Sequence, residues 1–303
     1  MRHRFCLLTF FAGAAMGATT SGAQSISGAS GPLSFSFEGA VAVQTETDID
    51  GGSTEFSVDR TFVRGGLAYR LDGGATLGLA VNYGRFDYDF DGTGAALWGD
   101  IEDYGISGFV RFETGGPTIL VAPSLQYAYE DGADESDGET YGVILGATWD
   151  VSDRLTIGPG LGVFSEIGED EDTNIFPFLI VDWAITDRWA LSTGPTLGAS
   201  QGPGLTLSYA WNDAVSLAVS GRYEEVRFAL DDDGPAPGGI GEDSSIPVFA
   251  SLTYSPNPAA TLSAFAGVEL GGTLKLEDAG GSTIFEEDYD PAPFFGVAAR
   301  LRF

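Results

Sequence analysis

Glu38, Arg64, Arg70, Arg111, Glu113, Asp150, Asp182, Arg222, Glu224, Glu269, Arg300 and Arg302 fall at alternate positions of apolar, glycine-rich segments. In an extended chain a period of two sends neighbours to opposite faces, so these charges share one face and apolar side chains take the other. Facing charges of both signs suit the lining of a water-filled path, where they set its field. The competing reading is that they pair across strands and only help close a sheet. Acidic clusters recur between the alternating segments: Asp131, Asp134, Glu135 and Asp137; Glu169 to Asp172; Asp231 to Asp233; Glu286 to Asp288. Their hard oxygens suit weak binding of Ca²⁺ or Mg²⁺. Asp87 to Gly92 opens like a calcium loop, but Trp98 stands where such a loop needs its bidentate glutamate, and no helices flank it. A solvated acidic surface is therefore the expectation, with no resident metal and no cofactor.

A second set on the charged face is aromatic. Phe164, Phe176, Phe178, Phe249, Phe265 and Phe294 share inward parity, which suits a constriction or a route for hydrophobic compounds. A β-bulge near the strand ends would instead reverse parity and put some of these rings outside. Cysteine-nucleophile and histidine-dependent chemistry has no basis in the rest of the chain, which leaves only a carboxylate site conceivable among its abundant acids. The single histidine is His3, the single cysteine is Cys6, and both lie in a basic then apolar leader that ends at the small residues Ser21, Gly22 and Ala23. That leader reads as a signal peptide over residues 1–23, so the mature chain is expected to be exported and not enzymatic. With 44 acidic against 14 basic residues and a formal charge of −30, nucleic acid is excluded as a partner.

These groups need strands to position them. After a short segment at residues 24–32, the alternation predicts about fourteen strands of about 9 to 11 residues over 33–303, with twelve as the fallback if the ninth and tenth are miscounted. Predicted starts lie near Leu33, Phe56, Ala75, Tyr104, Thr118, Glu139, Leu155, Thr173, Trp189, Gly204, Val215, Ser245, Thr261 and Ala292. Compact turns such as Asp72-Gly73-Gly74 and Asn257-Pro258-Ala259 alternate with longer acidic links, including Glu46 to Ser53, Asp91 to Asp103, Leu230 to Ser244 and Leu276 to Pro291. Ser200 to Pro203 is expected to be short on the long side. Trp149, Trp183, Trp189 and Trp211 fall near compact turns with outward parity, and Tyr83, Tyr127, Tyr129, Tyr141 and Tyr223 fall at the opposite strand ends, as two interfacial belts require.

The last strand is the most regular. Phe295, Val297, Ala299, Leu301 and Phe303 alternate with Gly296, Ala298, Arg300 and Arg302 up to the final residue. In this the chain resembles the outer-membrane β-barrel proteins of Gram-negative bacteria, whose closing strand commonly ends in phenylalanine. The resemblance implies an all-β, transmembrane, antiparallel up-and-down barrel, integral to the outer membrane. It also implies contact with outer-membrane lipid and recognition of Phe303 by the barrel-assembly machinery. The expected function is a porin-like channel for passive diffusion of small hydrophilic solutes, cation-preferring because of its acidic links. The alternatives are a transporter of hydrophobic compounds, as in fatty-acid-type outer-membrane transporters, and an occluded structural or adhesive surface barrel.

Overall fold

Alternation without a helical period becomes pairing of each strand with the next. In chain order the strands are β1 (Leu33–Asp48), β2 (Thr54–Arg70), β3 (Thr76–Gly92), β4 (Ile101–Glu113), β5 (Thr118–Glu130), β6 (Glu139–Ser152), β7 (Leu155–Ser165) and β8 (Thr173–Ala184). They continue as β9 (Trp189–Ser192), β10 (Gly204–Ala210), β11 (Val215–Arg222), β12 (Glu224–Ala229), β13 (Ile240–Asn257), β14 (Ala260–Glu277), β15 (Thr283–Tyr289) and β16 (Ala292–Arg302). The computed structural model describes residues 32–92, 96–168, 173–194, 197 and 202–303. The expected signal segment, the stretch after it through Gly31, and the acids Glu169 to Asp172 therefore lie outside the described residues.

Pairing closes the sheet into a 14-strand antiparallel barrel, so the twelve-strand fallback is not needed. The sixteen segments reduce to that number because two strands are broken. β11 continues past Tyr223 as β12, both pairing with β13. β15 continues past Asp290 and Pro291 as β16, both pairing with β14. Pro291 has no N–H to donate, which accounts for the second break. The second break falls at the end of the link expected at Leu276 to Pro291, so the acids Glu286 to Asp288 lie within a strand rather than a loop. Asp87 to Gly92 is likewise part of β3, extended and paired with β2, and does not form a calcium-type loop. The link Leu230 to Ser244 shortens to 230–239, because β13 starts at Ile240.

Outward parity produces the lipid face. Leu79, Val81, Leu145, Leu179, Leu262 and Val297 are all exposed, and so are the tryptophans Trp149, Trp183, Trp189 and Trp211 beside the compact turns. Tyr83 and Tyr141 are exposed at the other strand ends, and Tyr104 stacks on Tyr127 with centroids 5.1 Å apart. An apolar band between two aromatic girdles is what a bilayer requires of a barrel.

Inward parity holds a pattern that accounts for four of the 44 glycines. Phe164 lies opposite Gly142, Phe178 opposite Gly160, Phe176 opposite Gly162 and Phe265 opposite Gly296. In each pair a Cβ on the glycine would overlap the ring. The rings therefore lie flat against the neighbouring strand's backbone instead of projecting to the axis. Gly142→Val forces a methyl-bearing Cβ into Phe164 and is expected to cost about 1–3 kcal/mol in urea unfolding of the micelle-bound barrel. Gly73→Ala, in a turn with nothing within 4 Å of the added atom, should stay within about 0.5 kcal/mol. Equal effects at the two positions would contradict the flat-ring packing.

Candidate functional site

Strand length is uneven around the barrel, and that unevenness shapes the interior. β1, β2, β3, β13 and β14 are 16 to 18 residues long, whereas β9, β10 and β11 have 4, 7 and 8. The tall side bends over. β12 leaves the wall and meets β5 through the parallel pair Ala229 and Tyr129. At the other seam Ile49 bridges Tyr289, joining β1 to β15. The outer end is thus a second, narrower ring that runs β12–β13–β14–β15–β1–β2–β3–β4–β5 and back to β12, omitting β6 to β11 and β16. Fewer strands enclose a smaller interior, which side chains can fill.

They do fill it. Phe56 and Val58 of β2, Phe86 and Tyr88 of β3, Ile101 of β4, Val226 and Phe228 of β12, Leu274 and Leu276 of β14, and Tyr289 of β15 form one buried cluster. Trp98 enters it from the β3–β4 link, edge-on to Tyr88 at 5.5 Å and to Phe228 at 5.1 Å. Glu130, the last residue of β5, holds both flanking links by accepting the Gly99 N–H at 2.5 Å and the Asp231 N–H at 3.0 Å. Burial pushes its carboxyl above the usual range, and these two donors oppose that shift.

Beneath this cap lies a charged floor. Asp243 of β13 accepts the hydroxyls of Tyr88 at 2.9 Å and Tyr289 at 3.2 Å, with Arg60 Nη2 at 3.9 Å. Arg60 pairs with Glu269 and donates to Gln44 Oε1 at 2.9 Å. Glu269 therefore points inward but is 1% exposed and neutralised, with no open water path in front of it. A buried pair of this kind contributes little net stability and more to the choice of one packing arrangement. On the cap's outer face Arg227, Glu242 and Lys275 lie side by side across three strands, with Arg227 donating to Glu242 at 2.9 Å and to Glu277 at 2.6 Å.

The other charged residues picked out from the sequence divide by height. Arg222 is 2% exposed and donates to the Gly202 carbonyl at 2.7 Å and the Gly194 carbonyl at 2.5 Å, while Glu224 accepts the Gly202 N–H at 2.7 Å. Both pin the β9–β10 link, which spans 193–203 and is not the short Ser200 to Pro203 turn expected from the sequence. Described residues of this link run inside the barrel: Leu197 packs on the cluster that contains Phe62, Phe249, Phe265 and Phe294. Arg64 is nearly buried, with Ser107 Oγ at 3.5 Å. At the periplasmic end Arg300 grips Glu38 through Nε at 2.9 Å and Nη2 at 2.8 Å. Asp150 accepts from Thr156 at 2.5 Å, Asp182 is half-buried opposite Thr156, and Arg70, Arg111, Glu113 and Arg302 are exposed. The six phenylalanines lie at mid-height, in the Leu197 cluster and in a second one where Phe164 stacks on Phe176 at 5.6 Å. No parity reversal places any of them in lipid.

Sequence reasoning missed Arg60, Asp243, Lys275 and the whole cap. Arg60 shares parity with Arg64 and was available to the same rule. Asp243 and Lys275 lie beyond irregularities, between Ser244 and Ile246 and at Gly271 (φ +57°), where parity counting loses its phase.

No family model matches the sequence, and no curated protein matches it. Solved structures of outer-membrane proteins align along most of the chain at low identity. An outer membrane channel from Pseudomonas putida F1 is 9% identical, with 90% of this chain and 96% of that one covered at a TM-score of 0.47. The P. putida toluene transporter TodX is 10% identical, with 90% of each chain covered at 0.44. The KdgM porin is 11% identical, with 88% and 99% covered at 0.37. At identities near 10% and TM-scores below 0.5 these likenesses carry no argument about this chain. Closure, the lipid-facing band and the paired girdles make this chain an integral β-barrel of the outer membrane, porin-like in architecture.

The cap makes a direct prediction. A chain whose single native cysteine is Cys6 offers a clean background for Tyr129→Cys with Ala229→Cys, a pair in register across the β12–β5 contact. Mild oxidation is expected to form an intrachain disulfide, visible as a gel shift reversed by reductant. Failure to cross-link, with the barrel folded, would place β12 away from β5.

Proposed function

We propose that the barrel is a gated channel for small, largely apolar compounds rather than a continuously open aqueous pore. The observation that carries this reading is the buried aromatic and aliphatic cluster that fills the outer ring. Ions crossing such a region would have to shed their water without replacement ligands, at a cost of several kcal/mol. Below it, Phe164, Phe176, Phe249, Phe265 and Phe294 are themselves buried, so the interior there is packed with apolar rings rather than lined for water. Catalysis is not part of the proposal, because nothing in the chain after Cys6 supplies a histidine or a thiol.

A second reading has its own support. Exposed Arg70, Arg111, Glu113, Asp150 and Arg302 at the periplasmic end suit passive diffusion of small hydrophilic solutes, and the net charge of −30 favours cations at the outer surface. Planar-bilayer recording distinguishes the two. The proposed channel should show no sustained porin-sized conductance, while uptake of N-phenyl-1-naphthylamine into proteoliposomes should rise with the protein and fall when the engineered disulfide between β5 and β12 is closed. Stable conductance with a cation-selective reversal potential would establish the second reading. Neither conductance nor uptake would leave a surface barrel whose links do the work.

Phe303 is proposed as the assembly signal. Its backbone exchanges two hydrogen bonds with Phe35, at 2.9 and 3.0 Å, while the residue stays 67% exposed. Phe303→Ala is expected to leave the seam paired yet lower the amount of heat-modifiable barrel recovered from outer membranes. Unchanged recovery would remove the signal role.

A further inference from the structure

The barrel wall is not complete at every height. β8 pairs with β7 from Trp183 to Thr173, but on its other side the ladder with β9 holds only Asp182, Trp183 and Ala184. Next to these, Val181 exchanges two bonds with Thr193, giving its N–H to Oγ1 at 2.9 Å and taking the Thr193 N–H at 3.0 Å. By the two-residue period the N–H and C=O of Ile175 and the same groups of Leu179 point that way too, and no described residue pairs with them on that side. The facing flank is β10, which pairs with β9 no higher than Thr206 and carries Leu205 and Gly204 on β11 alone. Between the flanks the described residues of the link turn inward: the Gly194 carbonyl accepts from buried Arg222, and Leu197 packs on the phenylalanine cluster inside. Among the described residues, one strand is thus missing from the outer half of the wall between β8 and β10.

Pro177 lies on this edge, between Ile175 and Leu179. Proline within a sheet is confined to edges and interruptions, because it has no N–H to give a ladder. Pro123, Pro159 and Pro247 each sit at a short interruption past which pairing resumes, whereas on the β9 side of Pro177 it does not. Its ring also blocks the addition of a strand from another molecule. We propose that the slot is a lateral port, through which small uncharged apolar compounds pass between the lumen and the outer half of the bilayer. This deepens the channel reading above and rests on it. The axial way is filled by the buried cap cluster, and the slot lies on the side of the barrel that the outer ring omits. Two strand spacings separate β8 from β10, about 10 Å, which is room for a compound of one or two rings. The rim is apolar, with exposed Ile175, Pro177 and Leu179 on one flank and exposed Leu205 on the other. No charged residue occurs from Thr173 to Val181. Unpaired backbone at membrane depth is tolerated where it lines a water-filled passage, and it is costly against lipid alone.

Two measurements test the slot and the port separately. Amide hydrogen exchange of the folded barrel in micelles reads the slot without any variant. Ile175 and Leu179 should exchange at least about a hundredfold faster than Val163 and Leu145, whose strands are paired on both sides. Slow exchange at Ile175 and Leu179 would overturn the proposal whatever the uptake. For the port, Leu179→Cys with Leu205→Cys, about 12 Å apart by strand spacing and rise, are bridged with a bismaleimide in micelles before reconstitution. The single native cysteine, Cys6, lies in the leader and does not interfere. Uptake of N-phenyl-1-naphthylamine into proteoliposomes should fall to near the protein-free level after bridging, while each single-cysteine variant treated with the same reagent keeps its uptake. Heat-modifiability on gels confirms that each variant is folded. Uptake unchanged by the bridge would overturn the port and leave the channel reading with a periplasmic exit. No uptake by the unmodified barrel would remove the channel reading and the port together.

Discussion

Inside a bilayer a strand edge has no water to bond to, so the antiparallel seam between β1 and β16 is the contact on which the rest of the structure depends. Each unpaired backbone group there would cost several kcal/mol, which leaves full closure as the only stable arrangement for this sheet. Ser36 to Gln44 pair in register with Arg302 back to Phe294, and Phe303 reaches past them to Phe35. Glu38 and Arg300 meet across the same seam, so one side-chain contact on the water side repeats the register set by the backbone. Only a closed ring can have an inside, and everything attributed to the lumen follows from that closure.

Once closed, the ring is not level. Strands on the β13 to β3 side rise well above those from β9 to β11, and their upper halves leave the bilayer with both faces to satisfy. Folding inward onto β5 lets Val226 and Phe228 bury on one face of β12 while Arg227 joins Glu242 and Glu277 on the other. The break at Tyr223 and the irregularity beside Ile246 are where the sheet bends to do so. The cap is therefore part of the wall, continuous with it through β13 and β14.

All fourteen barrel positions can be read from the sequence, because in a bilayer the two-residue period is enforced on one face by lipid and on the other by water. Turn residues such as Asp72-Gly73-Gly74 mark the compact ends equally clearly. The reading fails above the membrane, where lipid no longer enforces the pattern: β15 and the first residues of β13 lie in stretches expected to be links, and the acids Glu286 to Asp288 look like loop composition. The lumen was legible in direction but not in contact. Parity places Glu269 and Arg222 inside, yet only the curvature of the folded wall brings Arg60 to the first and the β9–β10 link to the second.

The rings laid on glycine also bear on how the barrel reaches its register. A one-residue slip between strands exchanges inside and outside and is penalised at once by lipid. A two-residue slip keeps every side chain on its own face, so hydrophobic patterning cannot detect it. Phe164 can: shifted by two, it would lie opposite Ile144 or Thr140 instead of Gly142, and its ring would meet a side chain. Phe265, opposite Gly296, has Phe294 or Ala298 as its displaced neighbours. Glycine at these points acts as a keyhole that only one alignment fits, correcting an error to which the membrane itself is blind.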